Sequence, residues 1–173
     1  MKASGRAGVW VLAVALGAGC GDASPATEAD GGGDAGVVGP VATLGTGLSV
    51  WEDIPTRGAR MELVMGPQGG FHLLGRARFV GLPGDVSLAF ALRPTSGGPS
   101  VSEEGAVRRV DRRGLTRWGD GWETTSAELV VLAPGAMPSA VVGRTLRLEL
   151  SVTDAAGRTA TDAREVTVTD DVP

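Results

Sequence analysis

A chain of 173 residues is long enough for one domain of ordinary size, about 100–200 residues, with some chain to spare. Its 28 glycines and its 4% content of aromatic residues predict many turns and a mostly aliphatic core. The formal net charge of −4 argues against a nucleic-acid-binding protein, because such proteins need a basic surface to neutralise phosphates.

The first 19 residues have the layout of an export signal. Lys2 and Arg6 form a short basic region, residues 9–16 are apolar, and small residues at 17–19 precede Cys20, which is the only cysteine. The apolar run is too short to span a bilayer as a helix, which takes about 20 residues. These features predict that residues 1–19 are a cleaved signal peptide.

The run Leu16-Gly17-Ala18-Gly19-Cys20 resembles the lipobox of bacterial lipoproteins, with Leu16 one place further from the cysteine than in the family pattern. The resemblance implies cleavage before Cys20 and acylation of its thiol. Acyl chains contribute about 0.8 kcal/mol per buried methylene, so two or three of them would anchor the protein to the inner or outer membrane, with its domain outside the cytoplasm. The alternative is an ordinary secretory peptide cut nearby, which would leave Cys20 as a free thiol or remove it.

Residues 20–40 follow as a predicted tether. They are rich in Gly, Ala, Asp and Pro and have no apolar periodicity, so they cannot bury enough surface to offset the entropy of ordering. We therefore expect a disordered segment with a root-mean-square reach of about 25 Å. The folded domain is predicted over residues 41–173.

Alternating apolar residues predict a series of strands in this domain. Residues 48–52 and 60–65 come first, and a turn at residues 66–70, where Pro67 presets φ, leads to a strand over residues 71–80. After a turn at residues 82–85, the next strand covers residues 85–94, and its inward side chains are Val86, Leu88, Phe90 and Leu92. The simplest pairing joins it to residues 71–80, which would make two consecutive hairpins, a meander.

Further strands are predicted over residues 106–111 and 124–132, and the clearest alternation follows at residues 145–154. There the apolar face consists of Leu146, Leu148, Leu150 and Val152. The run Asp154-Ala155-Ala156-Gly157 supplies a turn, and Val166 and Val168 continue in the partner strand. The sequence thus predicts a C-terminal hairpin.

No stretch after the signal shows sustained helical periodicity, so the predicted fold class is all-β. Seven or eight short strands favour an antiparallel β-sandwich, with a barrel as the alternative. Residues 143–168 resemble the final hairpin of bacterial immunoglobulin-like domains, in the order alternating strand, Asp-x-x-Gly, second strand. The resemblance implies an immunoglobulin-like sandwich that acts as a spacer or binding module rather than an enzyme.

Catalytic and metal-site patterns are missing from the sequence. His72 is the only histidine, which removes Ser-His-Asp, Cys-His and two-histidine arrangements, and we expect no enzyme, metal or cofactor. His72 and Gln68 could flank a small ligand at the glycine-rich turn, although a histidine at a strand start is more often a surface residue. Trp118 and Trp122, about a turn at residues 119–121, could stack on a sugar ring unless they pack in the core.

Five arginines, at positions 108, 109, 112, 113 and 117, form a local basic run. It could touch anionic lipid head groups or a polysaccharide, or it could be a solvated strand face balanced by Glu103, Glu104 and Asp111. Anchor, tether and small β-domain together predict a non-catalytic binding or structural module of the cell envelope, with an envelope protein or a polysaccharide as partner. The alternative is a carbohydrate-binding lipoprotein that uses Trp118 and Trp122.

Overall fold

The computed structural model describes residues 39–67 and 69–170. The predicted signal peptide, Cys20, Gln68 and all but the last two residues of the predicted tether lie outside this part. The described residues form an all-β sandwich of two sheets with two short 3-10 turns, which confirms the predicted fold class. None of the helical turns in these residues is long and apolar enough to cross a membrane.

Strands follow one another along the whole described chain. They are β1 (Val41–Thr46), β2 (Glu52–Asp53), β3 (Ala59–Glu62), β4 (Val64–Met65), β5 (Phe71–Val80), β6 (Val86–Pro94), β7 (Val107–Val110), β8 (Leu115–Trp118), β9 (Gly121–Thr124), β10 (Glu128–Val131), β11 (Thr145–Asp154) and β12 (Thr159–Thr169). The 3-10 turns are Arg112–Gly114 and Pro138–Ala140.

The two sheets share the strands unequally. Sheet A has the order β2-β1-β5-β9-β8, with β4 and β10 pairing with the first half of β5, and all its described pairs are antiparallel. Sheet B has the order β3-β12-β11-β6-β7. Within it β3 runs parallel to β12. Sheet B is therefore mixed, whereas the sequence predicts antiparallel sheets.

The core lies between the sheets and is aliphatic, as the composition predicts. Every second residue of β11 is buried, which confirms the predicted inward face of Leu146, Leu148, Leu150 and Val152. Sheet A contributes Leu44, Leu73, Ala77 and Phe79 from the other side. Burying a leucine, valine or phenylalanine side chain stabilises the fold by roughly 1.5–3 kcal/mol.

The predicted meander is wrong. Strand β6 does not pair with β5 but lies in sheet B between β11 and β7, so residues 81–85 carry the chain from one sheet to the other. Phe79 and Val86 both reach the core, from opposite sides. Alternation fixes which face of a strand is buried but not which strand lies beside it, and for this reason the sequence favoured the nearer neighbour.

The predicted strand at residues 60–65 divides between the sheets. Its first part is β3, which pairs with β12, and its last two residues are β4, which forms the predicted hairpin with β5. The division falls at Leu63, which is buried and donates its backbone N–H to Thr169 O at 2.8 Å. Within the turn to β5, Gly66 N donates to Gly70 O at 2.7 Å, and Gly69 takes a φ of 84°.

The predicted C-terminal hairpin is confirmed, and one carboxylate closes its turn. Asp154 Oδ1 accepts hydrogen bonds from the backbone N–H groups of Ala156 and Arg158, both at 2.9 Å, and Oδ2 accepts from Arg158 Nε at 2.8 Å. Desolvation favours the protonated acid, but these hydrogen bonds and the charge of Arg158 outweigh it and lower the pKa of Asp154 below 3.8.

Replacing Asp154 by Asn should therefore cost less stability in acid than near neutral pH. The ionised carboxylate stabilises the fold above pH 3.8, and this contribution is lost as the pH falls through the lowered pKa of the native state. Urea unfolding of the wild type and of Asp154→Asn at about pH 6 and about pH 2 would measure it. A difference in unfolding free energy of equal size at both pH values would contradict the prediction, and Asp85→Asn, at an exposed turn, is the control.

Candidate functional site

Exposed apolar side chains concentrate on the outer face of sheet A. Paired residues share a face, so the pairing of buried Phe79 with Ala42 places their neighbours Val80 and Val41 on the outside. Of the nine large apolar side chains that are exposed in the described residues, six lie on this face or in the adjoining loop at residues 47–51, namely Val41, Leu48, Val50, Val80, Trp118 and Leu129. Clustered exposed apolar residues are typical of interaction surfaces.

At the centre of this face an arginine lies between two tryptophans. The guanidinium of Arg78 is 4.0 Å from the ring centroid of Trp51 and 4.5 Å from that of Trp118. Arg78 Nε also donates to Glu123 Oε2 at 2.7 Å, which fixes the guanidinium from the side. Cation–π contacts contribute about 0.5–1 kcal/mol each at exposed sites, so this stack orders the indole of Trp118, which is still 40% exposed.

The other indole of the stack rests on a glycine. A Cβ atom at Gly45 would lie 2.7 Å from Cε2 of Trp51, so any larger residue there would displace the ring. Trp51 Nε1 donates to Asp53 Oδ1 at 2.7 Å, and Asp53 pairs with Gly45 in the ladder of β1 and β2. These contacts hold residues 47–51 over sheet A. The sequence predicts a strand at residues 48–52, and the structure has only the two-residue strand β2 there.

Beside the stack, Arg76 is buried in a break between two ladders. Arg78 pairs with Glu123 of β9, whereas Gly75 pairs with Glu128 of β10, so residues 76–77 lie opposite residues 124–127. Four residues here face two, and the two additional residues form a bulge. This bulge divides the strand predicted at residues 124–132. Nη2 of Arg76 donates to the Thr124 carbonyl, and the Thr124 hydroxyl accepts from Ala77 N at 3.2 Å.

Two arginines share one carboxylate in this cluster. Arg76 Nη2 lies 2.8 Å from Glu123 Oε1, and Arg78 Nε takes the second oxygen. Arg76 is only 2% exposed, and its Nε and Nη1 have no hydrogen-bond partner among the described residues. Glu123 therefore supplies the negative charge that makes a buried guanidinium tolerable.

The two tryptophans that the sequence singled out point to opposite faces of their hairpin. Trp118 pairs with Gly121 and Trp122 with Arg117, and successive residues of a strand alternate in direction. Trp122 packs against the core, and the guanidinium of Arg117 covers it at 4.5 Å from its ring centroid. The indole that shares a face with Trp118 is Trp51, which sequence reasoning missed because 66 intervening residues carry no local pattern that joins the two.

His72 lies apart from the tryptophans. It is half-buried at the start of β5, where it pairs with Val64 and Val131, and a Cβ at Gly66 would lie 3.5 Å from its Cε1. Its neighbour in the predicted ligand site, Gln68, falls outside the described residues, as does Cys20. The described residues contain no group of three or more His, Cys, Asp and Glu side chains that could hold a metal ion.

On the outer face of sheet B lies a broad hollow of about 860 Å³. Small residues form much of its lining, and its charges are already paired: Glu149 lies 3.3 Å from Arg93 Nε and 2.9 Å from Arg147 Nε. The hollow therefore offers less to a ligand than the outer face of sheet A. No protein-family model matches the chain, and neither a curated protein nor a solved structure matches it.

Removing the shared carboxylate should destabilise the protein strongly. Glu123→Ala leaves buried Arg76 without a counter-charge, and breaking a buried pair in this way costs about 3–5 kcal/mol in the free energy of unfolding. The matched control is Glu165→Ala, since Glu165 forms only an exposed pair with Arg57 at 3.8 Å, and it should cost less than about 1 kcal/mol. Urea unfolding at neutral pH measures both, and equal losses would contradict the importance of Glu123.

Proposed function

We propose that this chain is a lipid-anchored, non-catalytic binding module of the bacterial cell envelope, which engages another envelope protein through the outer face of sheet A. One observation carries the binding role, namely the gathering of exposed apolar side chains around the ordered stack of Trp51, Arg78 and Trp118. The lipobox-like run that ends at Cys20 supports the anchor. The immunoglobulin-like hairpin pattern supports a role as a spacer or binding domain.

The composition of this face suits a protein partner. Tryptophan and arginine dominate the binding energy of protein interfaces, and here both are held in place before any partner arrives. Side chains that are already ordered lose little entropy on binding. Leu48, Val50 and Leu129 add apolar surface around the stack, which a protein can cover and a sugar ring cannot.

Carbohydrate binding is the second candidate function, and the exposed indole of Trp118 favours it. Trp122 cannot contribute, because its ring packs against the core, so only Trp118 of the predicted pair could stack on a sugar. The polar neighbours Arg78 and Glu123, which would have to bind sugar hydroxyls, are already bonded to each other. Glycan-array binding that Trp118→Ala abolishes would support this candidate over a protein partner.

The anchor has a direct test. Radioactive palmitate should label the wild-type chain in cells and should not label Cys20→Ala, because the acylated thiol would be missing. Immunoblotting would control for the amount of protein made. Equal labelling of both chains, or no labelling of the wild type, would remove the lipid anchor from the proposal.

Cross-linking in the native envelope tests the binding face. Leu129→Glu puts a charge into the proposed face and should reduce the recovered partner by about five-fold or more. Met137→Glu makes the same change at an exposed residue in the connection between β10 and β11, and it should leave recovery unchanged. Equal recovery from both variants, once circular dichroism shows them folded, would rule out this face.

A further inference from the structure

Four arginines at one corner of the sandwich have no carboxylate partner among the described residues. Arg109, Arg112, Arg113 and Arg117, which we call the arginine corner, are exposed, and in the described part of the chain none lies within 4.0 Å of an acidic oxygen. Arg108, the fifth arginine of the run, differs because it binds Glu128 at 2.7 Å. The four guanidinium groups of the corner thus form no direct ion pair with a described residue, although Asp85, Asp111 and Asp154 line a hollow together with Arg109.

Local structure keeps the corner's charges free. Asp111 lies in the middle of the run, but its Oδ1 accepts hydrogen bonds from the backbone of Arg113 and Gly114 at 2.9 and 3.3 Å and so caps the 3-10 turn. Arg112 and Arg117 lie over the ring of Trp122, at 5.8 and 4.5 Å from its centroid. Trp122 therefore orders two of the four guanidinium groups without neutralising them.

The described chain enters the domain beside this corner. A Cβ at Gly81 would lie 3.2 Å from Cα of Pro40, and one at Gly84 would lie 2.8 Å from Cγ of Arg112. Gly81 and Gly84 are three residues apart in the chain and so at most about 11 Å apart in space. Pro40, where the described chain enters the domain, therefore lies at the same end of the sandwich as the arginine corner. The exposed apolar pair Val41 and Val80 lies at this end too.

We propose that the arginine corner binds the phosphate groups of anionic phospholipids in the membrane that carries the anchor. This step rests on the lipid anchor of the proposed function. Guanidinium groups bind phosphate oxygens bidentately, and each basic residue close to an anionic surface raises partitioning about five-fold. The predicted tether, with its expected reach of about 25 Å, would keep the corner near the head groups, so even a weak contact would be occupied.

Exposed apolar side chains beside the arginines favour a membrane over a free anion. Val41 and Val80 can enter the interfacial region of a bilayer while the guanidinium groups stay at the phosphates. With this end on the membrane, Val41 and Val80 contact lipid, and the remaining exposed apolar residues of the outer face of sheet A and its loop, Leu48, Val50, Trp118 and Leu129, are left to the protein partner.

Vesicle binding by the full chain carrying Cys20→Ser tests the contact without any acyl group. Partitioning onto phosphatidylcholine vesicles should rise when phosphatidylglycerol is included and should fall with added salt. Arg112→Gln with Arg113→Gln should lower it about 25-fold, from two arginines at about five-fold each. Because every variant keeps residues 1–19, any binding by that segment cancels in the comparison.

The matched control is Arg60→Gln with Arg144→Gln, which removes the same charge from exposed positions. Arg144 precedes β11, whose ten residues run about 33 Å to Asp154 at the arginine-corner end, and Arg60 pairs with Thr167 at the same far end as Arg144. This control should lower partitioning less than about three-fold, since long-range charge is screened.

Three results would overturn the membrane contact: an equal loss in both double variants, no dependence on phosphatidylglycerol, or no binding by the unacylated chain. A stronger release of the protein from the vesicles by inorganic phosphate than by sodium chloride at the same ionic strength would instead assign the corner to a free phosphate. None of these results bears on Cys20 acylation or on the outer face of sheet A, so a failure here is distinct from a failure of the proposed function.

Discussion

One carboxylate, that of Glu123, holds two arginines on the outer face of sheet A, and the shape of this face depends on it. With one oxygen it neutralises Arg76, which crosses the break between β9 and β10, and with the other it positions Arg78 between two indoles. Through Trp51 the same interaction reaches the loop at residues 47–51, which carries Leu48 and Val50. Sheet pairing, loop position and exposed surface are thus coupled.

Apolar side chains could stabilise this sheet as well as the buried ion pair does. Two nitrogens of Arg76, Nε and Nη1, lack hydrogen-bond partners in the described residues, and apolar side chains of similar volume are often as stabilising as a buried ion pair. What an apolar residue could not do is donate to the Thr124 carbonyl at the bulge or fix an arginine between tryptophans. The cluster therefore specifies the geometry of the face at some expense in stability.

How much of the fold was predictable follows from what strand alternation encodes. It located the long strands and their buried faces, including β6 and β11, because period two depends only on local residues. It could not show that β6 pairs with β11 instead of β5, since pairing depends on distant partners. Leu63 shows the same limit, because its burial decides where one apolar run divides between two sheets.

For the site, the sequence singled out Trp118 and Trp122 and left open that one or both pack in the core, as Trp122 does. With only Gly119 and Asp120 between the two strands of the hairpin, Trp118 faces Gly121, so Trp122 must point the other way. That parity was available from the sequence. The contacts of Trp118 with Arg78 and Trp51 were not, because they depend on how β1, β5, β8 and β9 come together.

The most direct test of the binding face compares the two sheets within one experiment. A photo-cross-linking amino acid would replace Leu129 on the outer face of sheet A or Ser151 on the outer face of sheet B, in the full chain in its native envelope. We predict a discrete cross-linked protein partner from position 129 and none from position 151. The same partner from both positions, or from position 151 alone, would contradict the assignment of binding to sheet A.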